Sequence, residues 1–478
     1  MKNIIQILAI PVFLLAISGC TQDSLEDINT NHNNPTDVPS RLLITDVMTR
    51  SAFTVTGSDF SFYASVYVEH NVGIYNQMYN AEIRTGEPIS STTYNNIWDA
   101  AYENLYNLKI IINKTSEGGS EEGNYHTLGI AQILTAYNLA MLTDLMGDVP
   151  YSEALQPGVI YQPKLDKQEE LYTEIFSLLN NAITNLGMKT EFPPLDEQDF
   201  IYGRDESLWI KFANGLKARY TAHLAFRNGG KWNEVIEFAN NSFASSDEQA
   251  QFNYNGSSSV SPYYTFFNDR DYFGASMSLH NKLVARNDPR DAVFFQPYEE
   301  EEPIVFAPNG TPSQVQGMYG ISALSTPTSP TYLMSYHEIE FLKAEAYARL
   351  NQTTNAENAL KNAITAAFIK VGLTAGDAAT YYDSDVAARF NANPLQEIMV
   401  QKYLAFFEEE SVEAYNDIRR LKALDENFIT LDNPAANQFP LRFTYGADDV
   451  TTNLAVAAAY GDGSYVYTEN VWWAGGTR

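Results

Sequence analysis

Apolar positions recur at spacings of three and four over much of this chain, the period of one α-helical face. In "NNIWDAAYENLYNLKIIINK", residues 95–114, Trp98, Ala101, Leu105, Leu108 and Ile112 share such a face. "TLGIAQILTAYNLAMLTDLMGDVP", residues 127–150, is apolar almost throughout. It reads as a helix stopped near Gly147, with Pro150 preventing its restart. Amphipathic helices follow over 166–186, ended by Gly187, and over 207–227, ended by Asn228, Gly229 and Gly230. Residues 231–243 read as the partner of the latter.

The pattern changes at about Ala244. From 244 to 330 Ser, Gly, Pro and Asn are frequent and no period is sustained. A structureless stretch of this length inside a compact body is usually functional or disordered. Its aromatic residues, as in "PYYTFFNDRDYF", argue for an ordered, irregular insertion with short strands or turns. Helical period returns at Thr331. Ile339, Leu342, Ala346 and Leu350 form one stripe, and Ala359, Ala363 and Ala367 form a second after a short polar turn. Small residues let two antiparallel helices approach closely, as in a tetratricopeptide repeat. Several such pairs in series predict a superhelical scaffold. Residues 394–424 read as one last helical region, and 426–478 lose helical period.

The first forty residues follow another logic. Lys2 precedes a mostly apolar run from Ile4 to Ile17, then Ser18, Gly19 and Cys20. This is the layout of a signal peptide, and too short for a membrane span. Cys20 is the sole cysteine, so no internal disulfide is possible. "ISGC" resembles a bacterial lipobox, which predicts cleavage after residue 19 and lipid on Cys20. Two or more acyl chains hold a protein firmly on a membrane. Residues 20–40 are polar and predict a tether, leaving 41–478 as one body. Asp23, Glu26 and Asp27 beside the cysteine look like a surface-export signal of Gram-negative lipoproteins. The spacing Asp27, Asn29, Asn31, Asn33 faintly suggests a calcium loop, but His32 and Val38 occupy the positions that need Gly and Glu.

Charge narrows the partners. The formal net charge is −29, and loss of Lys2 with the signal peptide makes it one unit more negative. Nucleic acid and anionic lipid call for basic patches, so neither is expected. Candidate chemistry is sparse. The six histidines are scattered with no two at metal-binding spacing, and neither a nucleophile elbow nor a phosphate loop is present. Carboxylate pairs for glycoside hydrolysis stay open, because 59 acidic residues offer many. No cofactor is expected. Scattered Asp and Asn leave a structural calcium open without fixing a site.

Several segments together resemble one family, the SusD/RagB lipoproteins. They are the lipobox, "NNPTDVP" at 33–39, "TDLMGDVPYSEAL" at 143–155, "NDPRDAVFF" at 287–295, "FLKAEAYARL" at 341–350, "FFEEESVEAYNDIRR" at 406–420, and "PLRFTYGADD" at 440–449 followed by "VWW". They lie in family order over nearly the whole chain. One departure is Gly446 after Tyr445, where the family commonly has proline. The resemblance implies a mainly α fold: a tetratricopeptide-like scaffold with an irregular ligand-binding side. It also implies a SusC-like TonB-dependent transporter as partner, an outer-membrane location, a nutrient ligand and no catalysis. The ligand would be an oligosaccharide or a peptide. An anchored glycan hydrolase and a helical-repeat protein adaptor are the alternatives.

Sugar sites use flat aromatic faces beside Asn, Gln or Arg, because pyranose faces are apolar and their edges polar. Two stretches offer that composition. "GIYNQMYN", 73–80, places Tyr75 and Tyr79 among Asn76 and Gln77. "PYYTFFNDRDYF", 262–273, supplies Tyr263, Tyr264 and Asn268. Against this, Tyr75 and Tyr79 are one helical turn apart and could face a core. Glu410, Asp417, Arg419 and Arg420 are expected to form helix-packing ion pairs, and the GDVP motif is expected to be scaffold.

Overall fold

The structure is a computed structural model describing residues 37–203, 205–299, 303–435 and 438–478. The signal peptide, Cys20, the acidic export signal and the calcium-like spacing therefore lie outside the described residues. The first helices are α1 (Ser40–Arg50), α2 (Asp59–Tyr67), α3 (Asn76–Glu82), α4 (Asn95–Thr115), α5 (Tyr125–Met146), α6 (Gln168–Leu186), α7 (Glu206–His223) and α8 (Trp232–Asn240), of which α4 to α8 are those the apolar period predicts. The second set is α9 (Pro262–Arg270), α10 (Met277–Val284), α11 (Tyr336–Arg349), α12 (Thr353–Lys370), α13 (Pro394–Ala405) and α14 (Ser411–Ala423). Packing runs in series: α4 on α5, α5 on α6, α6 on α7, α7 on α8, α8 on α11 and α11 on α12. This is the stacked-pair arrangement that the small-residue stripes predict.

Burial explains the composition of each helix. α4 buries Trp98, Ala101, Leu105 and Leu108 as the period requires. α5 is apolar enough and long enough to cross a membrane, yet its whole apolar window is buried among its neighbours. A helix apolar all round belongs in a core. Ala359, Ala363 and Ala367 of α12 are buried against Phe341 and Ala344 of α11 in a second, smaller core.

The GDVP motif stops α5 by backbone geometry. Gly147 adopts φ +83° and ψ −128°, and its amide donates to the Thr143 carbonyl at 2.8 Å. An added Cβ would overlap Nη2 of Arg442 and stand 3.0 Å from the Arg478 carbonyl. Gly147→Ala should therefore cost about 1–3 kcal/mol, read by urea unfolding. A change within 0.5 kcal/mol, on the order of an ordinary surface substitution, would refute this.

Three regions differ from the sequence reading. Among the described residues the insertion 244–330 holds α9, α10 and a short helix at Asp291–Phe294 beside short strands. The tail also carries short helices, Ala447–Thr452, Leu454–Tyr460 and Tyr465–Thr468, each too brief to show a period. Residues 394–424 form two helices, α13 and α14, separated by a turn at 406–410 in which Glu408 takes φ +80°.

The strands form three two-stranded antiparallel ladders. β1 (Asn71–Gly73) pairs with β3 (Phe273–Ala275), β2 (Ala250–Phe252) with β6 (Thr331–Met334), and β4 (Phe295–Gln296) with β5 (Ile321–Ser322). The β1–β3 ladder fastens the insertion to the segment that precedes α3, and β4–β5 closes a loop within the insertion. Arg290, fully buried, adds a second fastening: it donates to Asp288 at 2.6 Å and to Gln401 of α13 at 2.8 Å. Of the expected ion pairs, Arg420 meets Glu345 and Asp417, and Glu410 meets His337 and Lys370. Arg419 is the exception. It donates to the carbonyls of Asp144 and Leu441 and to Asn416. It thus satisfies the orphan carbonyl groups near the end of α5 and in the tail.

Candidate ligand-binding site

The register of β1 against β3, Gly73 opposite Phe273, brings the two aromatic stretches together. Tyr75 leaves β1 in extended conformation and precedes α3. Its ring lies 5.7 Å from that of Tyr272, tilted by 40°. Asn76, at φ +49°, donates from Nδ2 to the Tyr272 hydroxyl at 3.1 Å. Asn tolerates this left-handed conformation better than most residues. Tyr272 is itself buried, so it acts as a backing for Tyr75.

A third segment packs against Asp271, beside Tyr272. Asp271, also in the left-handed region at φ +46°, accepts from the Gly317 amide at 2.7 Å. Gln316 donates to the Arg270 carbonyl at 2.8 Å. Gly317 has φ +75° and packs close to the Tyr298 ring. The Asp271 carboxylate raises the Tyr298 phenol, and burial raises the Asp271 carboxyl itself. Tyr75 and Tyr298 are 36% and 44% exposed, with Val315 and Met318 exposed nearby in sequence to Gly317. Exposed aromatic faces bordered by amides and carboxylate can take a partly apolar, hydroxylated ligand.

The remaining expected residues sort by helix geometry. In α3, Met78 and Ala81 face the core, Gln77 and Tyr79 are half-buried, and Asn76 is exposed. In α9, Tyr263 turns inward. It is 3% exposed, donates to the Ser61 carbonyl at 3.1 Å and meets Phe62 edge-on at 5.0 Å. Tyr263 is therefore a core residue and is withdrawn from the site. Tyr264 is half-buried and Asn268 exposed, four residues apart on the opposite face. Sequence reasoning missed Tyr298, Asp271 and Gln316. Only Asp271 carried a signal, standing inside the aromatic stretch beside Tyr272. Among the described residues no cluster of three or more His, Cys, Asp or Glu is placed to hold a metal ion.

Comparison with known proteins bears on this arrangement. The chain is similar over 92% of its length to the whole of a SusD/RagB family protein from Bacteroides thetaiotaomicron, with 45% identity and a TM-score of 0.88. A chitin-binding SusD homolog from Flavobacterium johnsoniae is 21% identical, with 90% of this chain and 98% of that chain covered and a TM-score of 0.69. A SusD homolog from Parabacteroides distasonis is 20% identical over 92% and 99% of the two chains, with a TM-score of 0.74. The last two likenesses concern the fold. No curated protein matches the chain. Residues 32–446 match the SusD-like family described as "Starch-binding associating with outer membrane", and with the fold and the 45% identical relative this places the chain in the SusD-like family.

Proposed function

We propose that the protein binds an oligosaccharide at Tyr75 and Tyr298 and delivers it to a SusC-like TonB-dependent transporter. The reading holds it on the outer membrane, at the cell surface, through lipid on Cys20. The exposed rings of Tyr75, backed by Tyr272, and of Tyr298, beside the adjacent Asp271, are the observation that supports it most. Fold neighbours described as chitin-binding support a glycan over a peptide. The role is binding without turnover.

The test uses residues 21–478 without lipid, titrated against neutral oligosaccharides and peptides by tryptophan fluorescence and calorimetry, with product analysis. Loss of one stacking tyrosine removes about 1–2 kcal/mol. Tyr75→Ala and Tyr298→Ala should each weaken the responding glycan about tenfold or more. Cleaved product, or a bound glycan indifferent to both substitutions, would overturn the reading.

A further inference from the structure

A second concave region lies at the other end of α3, away from Tyr75. It has a volume of about 240 Å³ and is lined by Arg84, Lys422, Asn427, Thr430, Asn433 and Phe439, among others. Among the described residues no Asp or Glu lines it. In a chain with 59 acidic and 30 basic residues, a pocket with two cations and no acid is notable.

Arg84 is built into place. It is 5% exposed and sits at φ +57°, a conformation costly for any residue with a Cβ. Its Nη1 donates to the Ala81 carbonyl at 2.8 Å, and its guanidinium lies 4.8 Å from the Tyr67 ring centroid. Its Nε, fully buried, has no hydrogen-bond acceptor among the described residues. An unpaired buried donor on a cation is expensive, and an anion reaching it would relieve that cost. Lys422 is solvent-accessible, with Nζ 3.8 Å from the Phe439 ring centroid, and it forms no ion pair among the described residues. Asn427 and Thr430 are exposed, and their side chains make no hydrogen bond among the described residues. The acidic group that interacts with Arg84 is Glu82, which spends its carboxylate on the amides of Gly310 and Gly73 and on Asn433. Burial pushes the Glu82 carboxyl up to about 7, so it neutralises Arg84 incompletely.

We infer that this pocket binds the carboxylate of an acidic sugar, with Arg84 and Lys422 holding the charge and Asn427 and Thr430 the ring hydroxyls. Its size suits one ring, being smaller than the roughly 300–1,000 Å³ of drug-sized sites. A guanidinium fork matches a carboxylate geometrically, and an ammonium beside it supplies a second charge. The pocket is independent of the Tyr75 platform.

The experiment is calorimetry and NMR titration of residues 21–478 with D-glucuronate, D-glucose, acetate and an N-acetylated dipeptide. Glucuronate should bind at least about tenfold more tightly than each of the others, and less tightly as salt rises. Lys422→Gln is an accessible change that leaves the fold intact, and it should weaken glucuronate about tenfold. Arg84→Gln should weaken it more, with circular dichroism checking that the fold survives. Tyr298→Ala should leave glucuronate unaffected while reducing binding at the platform. Equal binding of glucose, equal binding of acetate, or tighter binding of the dipeptide would each overturn the inference. So would glucuronate binding unchanged in Lys422→Gln.

Discussion

Arg219→Ala is expected to lower the stability of the protein by about 3–5 kcal/mol, one of the largest losses available from a single side chain outside the apolar core. Arg219 of α7 is 4% exposed and Glu338 of α11 is 1% exposed. The guanidinium meets both carboxylate oxygens, at 2.7 Å and 2.5 Å, and donates to the Leu333 carbonyl at 3.0 Å. Its remaining nitrogen stands 3.8 Å from Glu413. Glu413 in turn faces His223 at 3.0 Å, which faces Asp144 at 3.2 Å. Removing Arg219 leaves the Glu338 carboxylate buried with no hydrogen-bond donor to its oxygens among the described residues. Breaking a buried pair strands a charge, whereas replacing both partners by apolar groups removes the desolvation cost with the attraction. Arg219→Met with Glu338→Leu should therefore recover most of the loss. Urea unfolding of both variants decides the matter: a single-variant loss under about 1 kcal/mol, the scale of an exposed pair, would refute the argument. A double variant no better than the single would refute it too.

What the chain disclosed in advance follows from element length. α4, α5, α11 and α12 are long, so their buried faces repeat often enough to be read, and the pairing of α11 with α12 was visible in alanine spacing. α9 has only nine residues. Within it Tyr263, Phe266 and Phe267 face in, while Tyr264 and Asn268 face out. That division is a helical one, and it disappears when the stretch is taken as irregular. Tyr298 could not have been found from spacing. It meets Asp271, next in the chain to the Tyr272 that backs Tyr75, and Asp271 also anchors Gly317, contacts between residues far apart in the chain. The break between α13 and α14 was hidden for the opposite reason. Glu408, Glu409 and Glu410 are good helix formers on a surface, but here all three are buried in a turn.

That turn makes stability fall as pH rises. Glu408 is fully buried, with the Ser322 hydroxyl near its carboxylate. Burial, helped by Glu409, pushes its carboxyl up to about 8, against an ordinary value of 4.5. Glu410 differs because His337 and Lys370 pair with it and hold it well below the usual range despite burial. Between pH 4.5 and 8 the folded protein keeps a proton on Glu408 that the unfolded chain releases. The contribution of Glu408 to stability must then decline with rising pH across that window. His223 acts in the same direction. Burial opposes its charge, but Glu413 and Asp144 raise it to about 9, so its contribution is full below 6.5 and is lost as pH climbs through 9. Glu408→Gln removes the first contribution and keeps the second. The variant should match the natural protein near pH 5 and gain on it steadily to about pH 9, by about 3–5 kcal/mol if the whole shift is expressed. Unfolding midpoints from pH 5 to about pH 9 would show two curves separating upward. Parallel curves would mean that water or a counter-charge reaches Glu408 in the folded state, and that its proton is lost at ordinary pH.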